Sequence, residues 1–411
     1  MIGLLWLLFG PTPAIANGQS THLWITDHAV SHVDNEDLTA LLLREDLRPM
    51  LRNGTMFPDG GYAVGDHYGE LAHWESFQDA YRTWIQESYT PPFTDDGAAH
   101  VSFLMGLASH GMADQVFDSL FMERSKQYDT WGEGLTGSLD GASDVLLVHA
   151  TAPQIAPEVW FPEQPFEDLY QHTHNHEVSA QTMARGQILL GAAIQWVASA
   201  SQDPAQVSEY RSNYPWASQH LFDETMPGSP PCEGEIIAGY WTHLWELLHD
   251  TADPTPRLLA TFPEEGTRTH HPLMQDVESR ITLVFSNSLS ESALEARFFE
   301  VTDKKGQRVS VRPYLFYGND SHVVHLALEE DLDWNAKYTV TVDAGITSTD
   351  GSILNEPIAF WFRTTRNPAQ GCTGCGIISP NRATIFYGIL FAWILLYYRS
   401  RSTQVQGLRN Q

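Results

Sequence analysis

The sequence predicts an all-α domain followed by a small all-β sandwich and a C-terminal transmembrane helix. Three observations carry this expectation. Apolar residues recur at helical spacing as far as about residue 250. From Ile281 the period changes to two, in short segments separated by turns. Near the end, Ala383–Tyr398 (ATIFYGILFAWILLYY) runs without a charge into Arg399 and Arg401.

The first 16 residues end an apolar run in Ala14-Ile15-Ala16, an A-x-A cleavage pattern, so residues 1–16 read as a signal peptide with Asn17 as the mature start. Residues 17–250 read as the helical domain. Leu38–Leu51, Glu70–Glu87, Val101–Glu123, Ala180–Ser201 and Gly234–Asp250 are its expected helices, punctuated by prolines. Residues 251–272 shift to Pro, Thr and charge, as a linker does. Residues 273–366 carry the segments ITLVFS, RFFEVTD, RVSVRPYLF, HVVHLALE, KYTVTVD and IAFWFRTT, with turns at Lys304–Gly306 and Gly318–Asp320. Residues 367–411 hold Cys372 and Cys375, then the apolar helix and a basic tail. The basic residues after the apolar run predict a cytoplasmic tail and an exported body. Cys372 and Cys375 are open to a small disulfide. Cys232 is the one other cysteine, which disfavours a four-cysteine zinc site.

The chain has 411 residues, enough for two or three domains with a sizeable core. Its 51 acidic residues against 23 Lys and Arg give a formal charge of −28. Nucleic acid is therefore disfavoured as a partner, since its phosphates call for a basic patch. Electrostatic attraction to anionic lipid is disfavoured for the same reason.

Ser102–Leu120 (SFLMGLASHGMADQVFDSL) is an apolar helix that carries His110 and Asp114 four residues apart, with Asp118 one turn on. Residues at i and i+4 share one helix face. An imidazole and two carboxylates on an otherwise apolar helix need a partner when buried, and a divalent metal supplies one. A polar, solvated helix face is the alternative. His22, Asp59 in a Pro/Gly turn, and His73 on an expected helix add the N and O ligands that zinc prefers.

At these residues the chain resembles a known family. THLWITDHAV at Thr21–Val30 and LMGLASHGMADQVFDSL look like metal helices of the bacterial zinc-dependent phospholipase C family. The second is closer still to the N-terminal domain of GPI-specific phospholipase D. Asn53-Gly54, then Asp59, then His73-Trp74 continue the match in order, and IIAGYWTHLWELL at Ile236–Leu248 resembles its closing helix. The resemblance implies a metal-dependent phosphodiesterase that hydrolyses phospholipids by metal-activated water. It implies His22 and Asp114 on one zinc with the mature N-terminal amine. Asp59, His73, His110 and Asp114 fall on a second, with Asp114 bridging and Asp59 as the candidate catalytic carboxylate. Trp24, Phe57, Tyr62, Trp74 and Phe117 are candidates for acyl-chain or head-group contact, with the core as their alternative place.

At a third metal the pattern departs. The histidine expected one turn after Asp114 is Asp118. The later histidine falls on Thr136 or Asp140, and the carboxylate on Asp140 or Asp144. Asp118, Asp140 and Asp144 would make an oxygen-lined site suited to Ca²⁺ or Mg²⁺ rather than Zn²⁺. Otherwise His149, or His172, His174 and His176 of a His-rich turn at a helix start, complete it, or the third ion is absent. FSNSLSESAL, KYTVTVDAGITSTDGSIL and AFWFRTT resemble bacterial Ig-like domains, with a spacer or binding role. The Cys motif, apolar helix and basic tail resemble C-terminal sorting signals of some Gram-negative bacteria. They imply a protein that is membrane-anchored, or cell-surface or secreted after C-terminal processing. Two alternatives stand beside the phospholipase reading: a catalytically altered metal-binding surface or adhesion protein, and a single-strand nuclease of the same fold.

Overall fold

The computed structural model describes residues 17–129, 139–251, 255–318 and 320–368. Helices fill the chain as far as Leu248: α1 Gln19–Ala29, α2 Glu36–Leu42, α3 Arg48–Val64, α4 Tyr68–Ala72, α5 Glu75–Ser88, α6 Asp95–Val116, α7 Glu123–Tyr128, α8 Leu139–Ala150, α9 Glu163–His174, α10 Ala180–Ala200, α11 Pro204–Asn213, α12 Pro215–His220 and α13 Pro230–Leu248. Helix α6 is buried on all sides from Gly97 onward, which explains its nearly unbroken apolar sequence. It lies closest to α3. A Cβ on Gly106 would stand 2.0 Å from the Leu51 carbonyl oxygen, and one on Gly54 would stand 2.1 Å from that of Phe103. Small residues at this crossing let two backbones touch, which brings the polar residues of α3 and α6 together.

Three expectations for the helical region are corrected. Asp59 lies inside α3 rather than in a turn, with Pro58 also inside the helix. Burial of Leu51, Met56 and Phe57 overrides the local turn signal, and Gly65, at φ 70°, ends the helix. The single helix expected over Glu70–Glu87 breaks at Trp74, which is extended and caps α5. The His-rich run stands at the end of α9 rather than at a helix start, closed by Asn175 in the left-handed region.

Strands follow: β1 Leu258–Phe262, β2 Ile281–Leu289, β3 Phe299–Asp303, β4 Arg308–Val309, β5 Val311–Leu315, β6 Ser321–Leu328, β7 Lys337–Val342 and β8 Ile358–Arg363. They form two antiparallel sheets, ordered β1-β2-β6-β5 and β4-β3-β7-β8. The stretch expected as a linker instead carries β1, paired with β2. Ile281, Leu283, Phe285, Val324 and Leu326 of the first sheet pack on Val301, Val340 and Phe362 of the second. The other face of the first sheet is also covered. Val284 and Val323 belong to the apolar core of the helices, together with Phe262. This double burial makes β2 buried at every position. Residues 1–16, Thr136 and the Cys372–Tyr398 region lie outside the described residues. Among the described residues no helix is long and apolar enough to cross a membrane.

His325 sits on the helix-facing side of β6, fully buried, with Nδ1 on Thr282 Oγ1 at 2.9 Å. Burial, reinforced by Arg280 and Arg124, pushes its imidazole down to about 3. The unfolded chain therefore binds a proton that the folded chain refuses, and stability falls as pH drops below about 6.5. Thermal melts of His325→Gln should lose stability less steeply than wild type between pH 7 and pH 4. Parallel curves would contradict this account.

Candidate metal centre

His22 of α1, Asp59 of α3, His73 at the α4–α5 junction, and His110 and Asp114 of α6 meet inside the helical region. None of them is more than 8% exposed. His22 Nε2 stands 3.0 Å from Asp114 Oδ1, and its ring stacks on His110 at 3.9 Å. His73 and His110 each place Nε2 3.4 Å from Asp114 Oδ2. The same two nitrogens lie 3.6 and 3.7 Å from Asp59 Oδ1. Two sets have ligand atoms all within 4.8 Å of one another: His22, Asp59 and His110, and His73, His110 and Asp114.

The backbone orients both inner imidazoles. His73 Nδ1 donates to the Gly69 carbonyl at 2.6 Å, and His110 Nδ1 donates to the Thr55 carbonyl at 2.7 Å. Each ring therefore turns Nε2 inward, and these two atoms are 3.0 Å apart. Such a pair is satisfied by a shared proton or by a metal ion between or beside its members. The break before α5 places His73. Its carbonyl oxygen lies 2.2 Å from where a Cβ on Gly111 would stand, so α6 admits it through a glycine.

The field of the site favours positive charge. Burial alone would lower the His73 pKa, but Asp114 and Asp59 outweigh it and raise the ring to about 10. Burial alone would raise Asp114, yet His110 and His22 hold it well below the usual carboxylate range. Burial and the neighbouring His22 keep His110 low. Among the described residues, His22 Nε2, Asp59 Oδ1 and Asp114 Oδ1 are buried without a hydrogen-bond partner. The 3.0 Å approach of His22 to Asp114 is thus a proximity without hydrogen-bond alignment. Buried, unpaired N and O donors that converge fit a divalent metal and are costly without one. The residues present therefore suit one or more metal ions.

The acidic positions beyond Asp114 divide. After α6 the helix widens into a π-helical turn, Phe117–Met122, which carries Asp118. Asp118 is buried and pushed up to about 7 by that burial. Asp140 is buried too, and burial followed by Asp118 and Asp114 holds its pKa well above the usual range. Among the described residues Asp118 Oδ1 and Asp140 Oδ1 have no partner. Asp144 behaves differently. It accepts from the Ser20 and Thr21 backbone N–H groups at 3.2 and 2.7 Å, and from the Thr21 hydroxyl at 2.8 Å. It therefore closes the start of α1, because exposed helix-end N–H groups seek a carboxylate. Asp118, Asp140 and Asp144 do not form a convergent ligand set among the described residues.

No outside histidine takes their place. His149 bonds the Ser201 carbonyl, His172 bonds that of Asp168, and His176 pairs with Asp66 at 2.8 Å. His174 packs against Phe77. Of the aromatic candidates, Phe57 and Phe117 are core. Tyr62 lies 5.1 Å from the His73 ring and donates to Glu70, which also accepts from Trp74 Nε1. Trp24 stacks on His28.

Sequence reasoning missed three residues, Gln19, Glu233 and Tyr317, and the side-chain contact of Asn17, of which the resemblance implied only the α-amine as a ligand. Gln19 Nε2 donates to Asp59 Oδ2 and leaves Oδ1 facing the histidines. Asn17 is buried and donates to Glu233 Oε2 at 3.0 Å. Glu233 of α13 is fully buried, and burial followed by Asp114 raises its carboxyl well above the usual range. Tyr317, two residues beyond β5, donates to Asp118 Oδ2. The spacing of the sequence gives no signal for these contacts, which cross long intervals of chain.

Comparison with known proteins adds two findings. Residues 252–364 match the family model of a bacterial Ig-like domain. The chain also has a weak, partial similarity to phosphatidylinositol-glycan-specific phospholipase D. It is 28% identical to the Rattus norvegicus protein over 43% of this chain and 23% of that one. It is 32% identical to the Bos taurus protein over 30% and 16% of the two chains, and 38% identical to the Dictyostelium discoideum protein over 16% and 7%. The chain thus spans less than a quarter of the length of these curated relatives. Among solved structures, the N-terminal part of the bacterial S-layer protein SbsC aligns over 72% of this chain at 12% identity, with a TM-score of 0.22, too low to define a shared fold.

Elemental analysis of protein purified with divalent metal present should return at least two ions per chain, and a chelator should lower the melting temperature. Asp114→Asn should lose more metal than Asp118→Asn. Metal-free protein with a chelator-insensitive melt would rule the centre out. Asp144→Ala should cost about 2–4 kcal/mol of stability through the lost charged hydrogen bonds, with the number of ions bound at saturating metal unchanged. Loss of an ion at unchanged stability would instead make Asp144 a ligand.

Proposed function

We propose that this chain is an exported, metal-dependent phosphodiesterase that hydrolyses phospholipids in the manner of a phospholipase C. The observation that carries this reading is the convergence of His22, Asp59, His73, His110 and Asp114 in one buried cluster. The weak similarity to phosphatidylinositol-glycan-specific phospholipase D supports a phosphodiester substrate. We assign two zinc ions to the cluster on the chemistry of its donors, imidazole nitrogen and carboxylate oxygen. When bound, such ions supply positive charge to the phosphodiester oxygens and acidify a water molecule.

The chain's own residues do the rest. Asp59 is held by Gln19 through one oxygen, which leaves the other free to orient a water and take its proton. As the water oxygen attacks phosphorus, the bond to the diacylglycerol oxygen breaks, and the leaving alkoxide takes up the proton that Asp59 received. His73 and His110 keep their orientation through the Gly69 and Thr55 carbonyls. Tyr62 and Trp74 border the His73 side and offer aromatic surface to the lipid. The apolar segment Ala383–Tyr398 would tether the protein to a membrane before any C-terminal processing.

Purified protein should release diacylglycerol and phosphocholine from phosphatidylcholine vesicles, and Asp59→Asn should lower the rate at least 100-fold. The loss of one general base accounts for that factor. Release of phosphatidate would change the bond assigned. Hydrolysis of single-stranded DNA in place of lipid would overturn the substrate class.

A further inference from the structure

The β-sandwich is docked on residues that neighbour the metal-centre side chains in the chain. Gln115, next to Asp114, accepts from the Ser321 hydroxyl at 3.1 Å and from the His322 backbone N–H at 2.8 Å. Glu75, two residues after His73, accepts from the Ser288 backbone N–H at 2.7 Å. The Tyr317 ring meets Trp74, the residue after His73, edge-on at 5.4 Å. Its hydroxyl reaches Asp118, while 37% of the residue stays exposed. Tyr317 therefore spans from solvent to a buried carboxylate one turn beyond Asp114.

We infer that the Ig-like domain is a working part of the metal centre and that Tyr317 is its positioning residue. Its hydroxyl holds Asp118 Oδ2 and leaves Oδ1 buried and, among the described residues, without a partner, one helical turn beyond Asp114. A carboxylate on a widened helical turn, with only one oxygen restrained, depends on that single bond for its orientation. Partners of this kind are known to set ligand geometry and affinity. The consequence is a division of labour: the helices supply the buried donors, and the sandwich fixes the Asp118 carboxylate and sets the Tyr317 ring against Trp74. The inference rests on the metal reading of the cluster and gives the appended domain a part in it.

The test uses the full chain as wild type, Tyr317→Phe, Tyr317→His, Asp118→Asn and the Tyr317→Phe, Asp118→Asn double variant. Zn²⁺ affinity is measured by competition with a chromogenic chelator, and kcat and KM are measured on bis(4-nitrophenyl) phosphate. Tyr317→Phe should keep the wild-type melting temperature of the metal-free chain and weaken the most loosely held ion about tenfold or more. It should add nothing in the Asp118→Asn background, because both changes remove one interaction. Tyr317→His, whose ring N–H falls short of the place of the phenolic hydroxyl, should lose affinity as Tyr317→Phe does, which ties the effect to the hydroxyl. Unchanged affinity in Tyr317→Phe, or additive losses in the double variant, overturns the inference. The hydrolysis arm separates the two claims. A wild type that hydrolyses no diester, with affinity still lost in Tyr317→Phe, removes the phosphodiesterase reading and leaves the positioning role. A hydrolysing wild type with Tyr317→Phe unaltered in affinity and kcat removes the positioning role alone.

Discussion

Asp114 is shared by three buried imidazoles, and the helical region is arranged around that fact. His22, His73 and His110 all bring Nε2 within 3.4 Å of its carboxylate. Taking these groups out of water is unfavourable unless a cation joins them. Each helix therefore has to deliver its side chain accurately. The α3–α6 contact does so through glycines at Gly54 and Gly106, where a side chain would collide with the facing backbone. The break before α5 swings His73 inward, and Asp144 fixes the start of α1 that carries His22.

The sandwich is joined to this arrangement through its interior as well as its edge. The central strands β2 and β6 of the first sheet are buried on both faces, so Val284 and Val323 extend the helical core while their neighbours fill the sandwich. Polar contacts at Gln115, Glu75 and Asp118 then register the domain against the centre. A tethered spacer needs no such alignment.

Periodicity made the helices and strands legible. His110, Asp114 and Asp118 were readable as one helix face, and the segments from Ile281 to Thr365 were readable as strands, because both patterns are local. Asp59 was readable as a candidate but not as helical, since Pro58-Asp59-Gly60-Gly61 has the composition of a turn and only tertiary burial keeps it in α3. The break at Trp74 has no Gly or Pro to announce it. The cap made by Asp144, the buried Glu233 and the reach of Tyr317 depend on contacts across more than a hundred residues. No spacing rule encodes contacts of that range. The same limit explains the acidic trio: the family resemblance grouped Asp118, Asp140 and Asp144, whereas the fold spends Asp144 on a helix end.

The central claim is that imidazole and carboxylate side chains of α1, α3, the α4–α5 junction and α6 hold divalent metal. X-ray absorption at the zinc edge of metal-replete, full-length protein tests it most directly. The account predicts a first shell of nitrogen and oxygen at about 2.0–2.2 Å, with the multiple-scattering signature of imidazole. A shell of sulfur near 2.3 Å would place the metal on cysteine and contradict the account.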